Sequence, residues 1–175
     1  MSRPIGRIAT GAKNRNDPKI FWLQGFRLLV KWPGVTGPGT ASEAMVHGAD
    51  FYPTILEMAG LPLIPKQHVD GISFAPVLRG EVETARHVAF WHSPVGRPWS
   101  TGDENCSVIR VDDYKLIDWY DKGKVELYNL KLDPMERIEL SESAPGKRDE
   151  LYRRLVAWRK EVHAIIAKKK RKKRR

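Results

Sequence analysis

A single cysteine, Cys106, is present in 175 residues. It has no partner for an intramolecular disulfide, so no disulfide framework exists and cysteine usage does not fix the compartment. The five histidines, His47, His68, His87, His92 and His163, show no spacing of the H-E-x-x-H kind. With no paired cysteines beside them, they give no zinc site. A nucleotide-binding glycine loop is also missing: the nearest text, GVTGPGTAS over 34–42, lacks the terminal Gly-Lys-Ser/Thr. No apolar run approaches the roughly 20 residues needed to span a bilayer. Residues 1–19 are basic but have no apolar stretch behind them, so they do not read as a secretory signal. The body of the chain even lacks an excess of positive charge. The formal net charge is +10, but Lys168 to Arg175 (KKKRKKRR) carry +8, residues 1–27 carry +5, and residues 28–167 sum to −3.

What is present suits one globular domain with a buried core: 41% hydrophobic residues and six tryptophans. The first 18 residues lack apolar periodicity and read as an irregular start. Phe26 to Lys31 is a short apolar run closed by Trp32-Pro33-Gly34, which predicts a buried strand ending in a turn. Asp50 precedes Phe51 to Gly60, where Pro53 in the first turn and a terminal glycine bracket one short helix. Asp70-Gly71 introduces a second short helical piece, Ser73 to Leu78.

From residue 86 the pattern changes. His87 to Trp91, Ser107 to Val111, Tyr114 to Tyr120 and Val125 to Leu130 are β-branched or aromatic-rich and separated by polar turns. The short connections Asp112-Asp113 and Asp121-Lys122-Gly123 cannot hold a crossover, so the last three strands are expected to form an antiparallel meander. Leu151, Leu155, Trp158, Val162 and Ile165 recur at 4-3-4-3 spacing, predicting an amphipathic helix from Arg148 to about 167 that covers one face of the sheet.

Three stretches resemble the sulfatase family, in particular its bacterial and lysosomal enzymes acting on sulfated sugars. Lys31-Trp32-Pro33-Gly34 followed by Asp50-Phe51-Tyr52-Pro53-Thr54-Ile55-Leu56-Glu57-Met58-Ala59-Gly60 is similar to the family's R-W-P-G and D-x-Y-P-T-x-L-E-x-A-G. Asp70-Gly71-Ile72-Ser73-Phe74-Ala75-Pro76-Val77-Leu78-Arg79-Gly80 is similar to D-G-x-S-x-x-P-x-L-x-G. The third stretch pairs Ile109 to Ile117 with Glu126 to Glu136, and resembles I-R-x-G-D-Y-K-L-I and E-L-Y-N-L-x-x-D-P-x-E. The resemblance covers roughly Leu28 to Trp158. Ahead of it, Lys19 is followed by Gln24-Gly25-Phe26-Arg27, without the Glu, second Gly and Pro of the family's E-G-G-x-R-x-P.

The resemblance implies an alkaline-phosphatase-like α/β fold. Residues 28–85 would form the C-terminal edge of its core. Residues 86–167 would form an α+β subdomain, a small antiparallel sheet of about four strands packed by a C-terminal helix. Residues 1–27 would be a divergent segment and 168–175 a basic disordered tail. The resemblance also implies a sulfuric ester hydrolase that uses formylglycine, made from a Cys within C-x-P/A-S-R, beside calcium or another divalent cation. Cys106 begins Cys106-Ser107-Val108-Ile109-Arg110, with Val108 and Ile109 where that motif needs Pro or Ala and then Ser; it reads as a buried strand cysteine. Asp112-Asp113 reads as a turn rather than as metal ligands. No catalytic residue and no metal ligand is therefore assigned to this chain, which is expected to be inactive alone.

Three residues are candidates for contact with a sulfated small molecule or glycan. Lys19 stands where the family has a sulfate-contacting lysine, or is a solvated loop cation. His92, in Phe90-Trp91-His92-Ser93-Pro94, matches family F-x-H-x-P stretches whose imidazole faces a sugar, or is a structural strand-end histidine. Arg97 meets a sulfate or carboxylate, or is solvated. The competing reading is a non-catalytic sugar-binding or anion-binding module that uses the basic tail. An acidic body without a nucleic-acid fold motif argues against a specific nucleic-acid partner. Oligomeric state and compartment are not set by the sequence, although complete family members are often periplasmic, secreted or lysosomal.

Overall fold

The structure, a computed structural model, describes residues 28–94, 105–120 and 122–166. The strand expected over 26–31 is not formed across the part described, 28–31, and Leu29 is 93% exposed. A buried strand needs ladder partners for its amides and carbonyls, and among the described residues no strand lies beside this one. The turn that follows does form: the Trp32 amide donates to Thr36 Oγ1 at 2.9 Å.

A 3-10 turn over Gly48–Asp50 leads into helix α1, Phe51–Met58. Pro53 sits in its first turn, where its missing N–H costs nothing. Gly60, at φ 69, ends the helix in the left-handed region that glycine enters without strain. Helix α2 is a single turn, Ala75–Leu78. It starts two residues later than the sequence suggests, because Phe74 (φ −99, ψ 13) is not helical. Gly71 passes so close to the preceding turn that a Cβ there would lie 2.4 Å from the Ala49 carbonyl oxygen.

The sheet comprises β1 (Val88–Ser93), β2 (Cys106–Val111), β3 (Tyr114–Trp119) and β4 (Lys124–Asn129), in that order and antiparallel throughout. The register places Phe90 opposite Ile109, Ile109 opposite Leu116, and Leu116 opposite Leu127. Alternation along each strand then sorts side chains onto two faces. One face carries Ile109, Leu116 and Leu127, covered by Leu151 and Leu155 of helix α3, Pro145–Glu161. The other carries Cys106, Val108, Ile117, Trp119 and Tyr128, with Trp91 packed against them. Both faces are buried, so the strands are apolar on both sides rather than cleanly alternating.

Helix α3 begins three residues before Arg148, with Pro145 in its first turn, and ends six residues before 167. Trp158 stacks on Phe90 of the edge strand at 4.7 Å between ring centroids. Among the described residues no further strand lies beyond that edge to offer a surface to cover. His163 turns left-handed at φ 51, and Val162 and Ile165, expected on the apolar face, are exposed. Among the described residues no helix is long and apolar enough to cross a membrane.

The outer side of β4 is not left bare. The Leu127 amide donates to Glu139 Oε1 at 3.0 Å, and the Leu127 carbonyl accepts from the Leu140 amide at 2.8 Å.

Two backbone positions give direct tests. Gly71→Ala must displace the 48–50 turn and is expected to cost about 1–3 kcal/mol. Asp112 holds the β2–β3 turn at φ 47, so Asp112→Val is expected to cost roughly 1–2 kcal/mol while Asp112→Gly costs little. Urea unfolding of the three variants checks both.

Candidate functional site

The residues that carry the family resemblance are bound chiefly to one another. Asp50, 1% exposed, accepts hydrogen bonds from the His47 amide at 2.7 Å, the Ile72 amide at 2.9 Å and Arg86 Nε at 2.9 Å. Arg86 Nη2 closes the ion pair and also donates to the Asp70 carbonyl at 2.6 Å. Asp50, directly before α1, makes no capping bond to it; its side chain completes the capping box of the 3-10 turn, whose N-cap is His47, and grips the second motif. One turn on, Thr54 Oγ1 donates to the Asp50 carbonyl at 2.6 Å and accepts from the Phe74 amide at 3.0 Å. A further turn on, Glu57 accepts from Ser73 Oγ at 2.6 Å and Arg79 Nη2 at 2.8 Å. Asp, Thr and Glu of the first motif thus each hold a residue of the second.

Burial opposes ionisation of Asp50, but the Arg86 guanidinium and the Ile72 and His47 amides outweigh it and hold the carboxyl below the usual carboxylate range.

The third motif closes in the same manner. Lys115 Nζ and Glu136 Oε1 meet at 2.9 Å with both side chains at most 5% exposed. Glu136 Oε2 is buried with no hydrogen-bond partner among the described residues. Burial pushes the Lys115 ammonium down and the Glu136 carboxyl up, each toward its neutral form. Next to them Glu126 Oε2 accepts from Trp119 Nε1 and from the Tyr128 hydroxyl, each at 3.0 Å.

His92, the candidate sugar contact within the described residues, lies near the end of β1 on the α3 face. Its Nε2 lies 3.0 Å from the Ile165 carbonyl and can only donate to it. Nδ1 lies 2.9 Å from Ser107 Oγ and 3.0 Å from the Tyr120 hydroxyl, and a ring that carries its proton on Nε2 alone accepts there. Those two hydroxyls also bond each other. Burial raises the Tyr120 phenol. Arg159 lies over the Tyr120 ring and donates to Asp118 Oδ2 at 2.7 Å. This polar cluster beneath the end of α3 is not evident from spacing, because its members come from β1, β2, β3 and α3, and only the register brings them together. Lys19 and Arg97 lie outside the described residues.

Formylglycine and calcium do not fit the residues described. Cys106 is 1% exposed within the sheet's second core. Asp112 lies in the exposed β2–β3 turn, 2.7 Å from His87 Nδ1. Among the described residues no three His, Cys, Asp or Glu side chains converge to hold a metal ion.

Two substitution sets probe the clamps. Asp50→Asn leaves the guanidinium of Arg86 buried without its counter-charge, an expected loss of about 3–5 kcal/mol at neutral pH. The folded carboxyl ionises below its unfolded value, so Asp50 stabilises above roughly pH 4 and loses that effect as pH falls through the folded pKa. The gap between wild type and variant should therefore narrow in acid, as read by urea unfolding across pH. Lys115→Met should cost a similar ~3–5 kcal/mol, most of it recovered by adding Glu136→Met. The single Lys115→Met variant should gain stability as pH falls, because Glu136 then takes up a proton.

Comparison with known proteins agrees with this scaffold. Residues 17–163 match the family described as N-sulphoglucosamine sulphohydrolase, C-terminal. The match starts upstream of Leu28 and includes Lys19, so family sequence reaches further back than the three motifs indicate. The chain is 35% identical over 144 residues to a sulfatase of Formosa agariphila, covering 75% of this chain and 26% of that protein. It is 33% identical over 117 residues to an N-acetylglucosamine-6-O-sulfatase of Bacteroides thetaiotaomicron, covering 65% and 20%. A solved structure of a protein in complex with its substrate D-glucosamine-2-N,6-O-disulfate superposes with a TM-score of 0.61 at 30% identity, over 73% of this chain and 26% of that one. The chain thus spans about a quarter of the length of these relatives. The four-stranded sheet with its C-terminal helix is the terminal part of an alkaline-phosphatase-like fold, and the chain belongs to the sulfatase family, matching its C-terminal region.

Proposed function

We propose that this chain is the C-terminal portion of a sulfuric ester hydrolase acting on sulfated sugars, and that it is catalytically silent without the region that precedes it in its relatives. The observation that carries this is the use made of its motif residues. Asp50, Thr54, Glu57, Lys115 and Glu136 are all spent on holding the scaffold together. The sole cysteine, Cys106, is buried and lies outside a C-x-P/A-S-R context. The nucleophile and the divalent cation would then be supplied by the complete enzyme.

In this reading the 28–85 segment packs on the rest of the α/β core, and the sheet presents its β1 end to the substrate. His92 is the sugar contact, joined by Arg97 and Lys19. For His92 to bond a sugar oxygen, Nε2 must exchange the Ile165 carbonyl for it, a one-for-one trade of acceptors. The disulfated glucosamine bound by the 30%-identical structural neighbour is the ligand class this assignment follows.

The test has two arms. The purified chain with calcium should not cleave an aryl sulfate, and cleavage that disappears in Cys106→Ser would overturn the assignment of silence. Residues 28–166 grafted in place of the matching region of the Bacteroides thetaiotaomicron N-acetylglucosamine-6-O-sulfatase should give an active chimaera. Within it, His92→Ala should raise KM about tenfold with little change in kcat, the loss of about one hydrogen bond to substrate. A KM unmoved by the substitution would remove His92 from the site.

A further inference from the structure

The polar cluster at the end of β1 is assembled by strand register and one helix residue. His92 stands opposite Ser107 on β2, and Ser107 stands opposite Asp118 on β3. Alternation puts these three on the α3 face, together with Phe90 and Ile109. Tyr120, one residue past β3, is held in place by its own amide, which donates to the Asn105 carbonyl at 3.0 Å, and by Arg159 over its ring. Arg159 is in turn fixed to Asp118. Ser107 is fully buried, and its hydroxyl meets His92 Nδ1 and the Tyr120 hydroxyl. Two hydroxyls, one from β2 and one from the end of β3, therefore converge on a single ring nitrogen.

Aromatic neighbours bracket the imidazole. Trp158 meets it edge-on at 6.5 Å between ring centroids, and the Tyr120 ring tilts against it at 6.0 Å. What packing leaves open is a half-turn of the ring about its bond to the chain, and the choice of which nitrogen carries the proton. Both are decided at Nδ1. A half-turn would aim a ring carbon at the two hydroxyls and forfeit their bonds. Nδ1, Ser107 Oγ and the Tyr120 hydroxyl share two hydroxyl protons among three atoms, so the set closes when one hydroxyl donates to Nδ1 and the other donates to the first. The ring's own proton then lies on Nε2, where the Ile165 carbonyl accepts it. The groups bonded to the ring, two hydroxyls and a carbonyl, are all uncharged.

We propose that Ser107 and Tyr120 are positioning residues for His92: by donating to Nδ1 they hold the ring's proton on Nε2 and aim that N–H at the substrate. This rests on the assignment of His92 to the sugar and adds what the sugar must bring there. An N–H that can only donate takes an acceptor oxygen, such as one of a sulfate, a carboxylate or a ring ether, in place of the Ile165 carbonyl. A protonated amine has no lone pair to offer and is rejected at that position. Either hydroxyl alone reaches Nδ1, at 2.9 or 3.0 Å, so each stands in reserve for the other. A purely structural pair of hydroxyls would affect stability and leave the ring's orientation and proton as they are.

The test reads the ring directly. Nitrogen NMR of the full chain with isotope-labelled histidine, at about pH 8 where ordinary imidazoles are neutral, identifies His92 as the signal lost in His92→Ala. It should show a protonated Nε2 and an unprotonated Nδ1 that accepts a hydrogen bond. Ser107→Ala and Tyr120→Phe each remove one oxygen and keep the bulk of the side chain, and singly they should leave that signature in place. Together they should move the Nδ1 signal towards that of a free ring, while the other four histidines keep theirs and so certify the fold. In the chimaera the double substitution should raise KM about tenfold with little change in kcat, as His92→Ala does, and each single should raise it less than about threefold. A protonated Nδ1 in the parent overturns the proposal, as does a double variant whose His92 signals match the parent's. If His92→Ala raises KM and the double variant leaves it unmoved, the positioning role falls and the sugar contact stands. If the double variant shifts the signal but His92→Ala leaves KM unmoved, the sugar contact falls and the hydroxyl pair stands as what orders the ring.

Discussion

The buried carboxylate of Asp50 is the point on which the first half of the described chain depends. A charged oxygen pair with 1% residue exposure is tolerable only if nearly every acceptor site is filled, and here four donors from three separate places fill it. His47 comes from the turn before α1, Ile72 from the loop after it, and Arg86 from the approach to β1. One side chain therefore sets the relative positions of α1, the Asp70-Gly71 turn and the entry to the sheet. The close passage of Gly71 over Ala49 follows from that constraint.

The second half is organised differently. Its meander is held by register and by two hydrophobic layers, with polar groups tucked into each. On the α3 face the polar residues gather at one end, around His92, Ser107, Tyr120, Asp118 and Arg159. On the other face they pair as Lys115 with Glu136 and as Glu126 with Trp119 and Tyr128. The resemblance to sulfatases is thus largely a record of folding requirements, and the family's motif residues are mostly those that hold other motif residues.

That division explains what the sequence could reveal. The four strands, their antiparallel order and the helix across them follow from β-branched and aromatic runs, from a period-3.6 pattern and from turns too short for a crossover, all local signals. The strand expected at 26–31 failed over 28–31 because a strand is completed by neighbours, which local sequence does not supply. Helix α3 stopped short because the sheet beneath it ends at Phe90, while the apolar periodicity at Val162 and Ile165 continues regardless. Family membership was legible in Asp50 to Gly60 and Asp70 to Gly80, but the partnership of Asp50 with Arg86, 36 residues away, was not. His92 was legible as a candidate, whereas its engagement with Ile165, 73 residues away, needed the fold.

The small bond set around Leu127 has a consequence for the molecule's behaviour in company. A terminal strand offers its outward amides and carbonyls to any extended chain that drifts alongside. Here Glu139 and Leu140 already occupy both groups of Leu127. The Leu127 and Ser141 amides outweigh burial and keep the Glu139 carboxyl ionised below its usual range. An incoming strand would have to break both of these bonds, one of them to a charged acceptor, before it could pair with Leu127. The segment after β4 thus already holds the middle of that edge, where an added strand would have to pair.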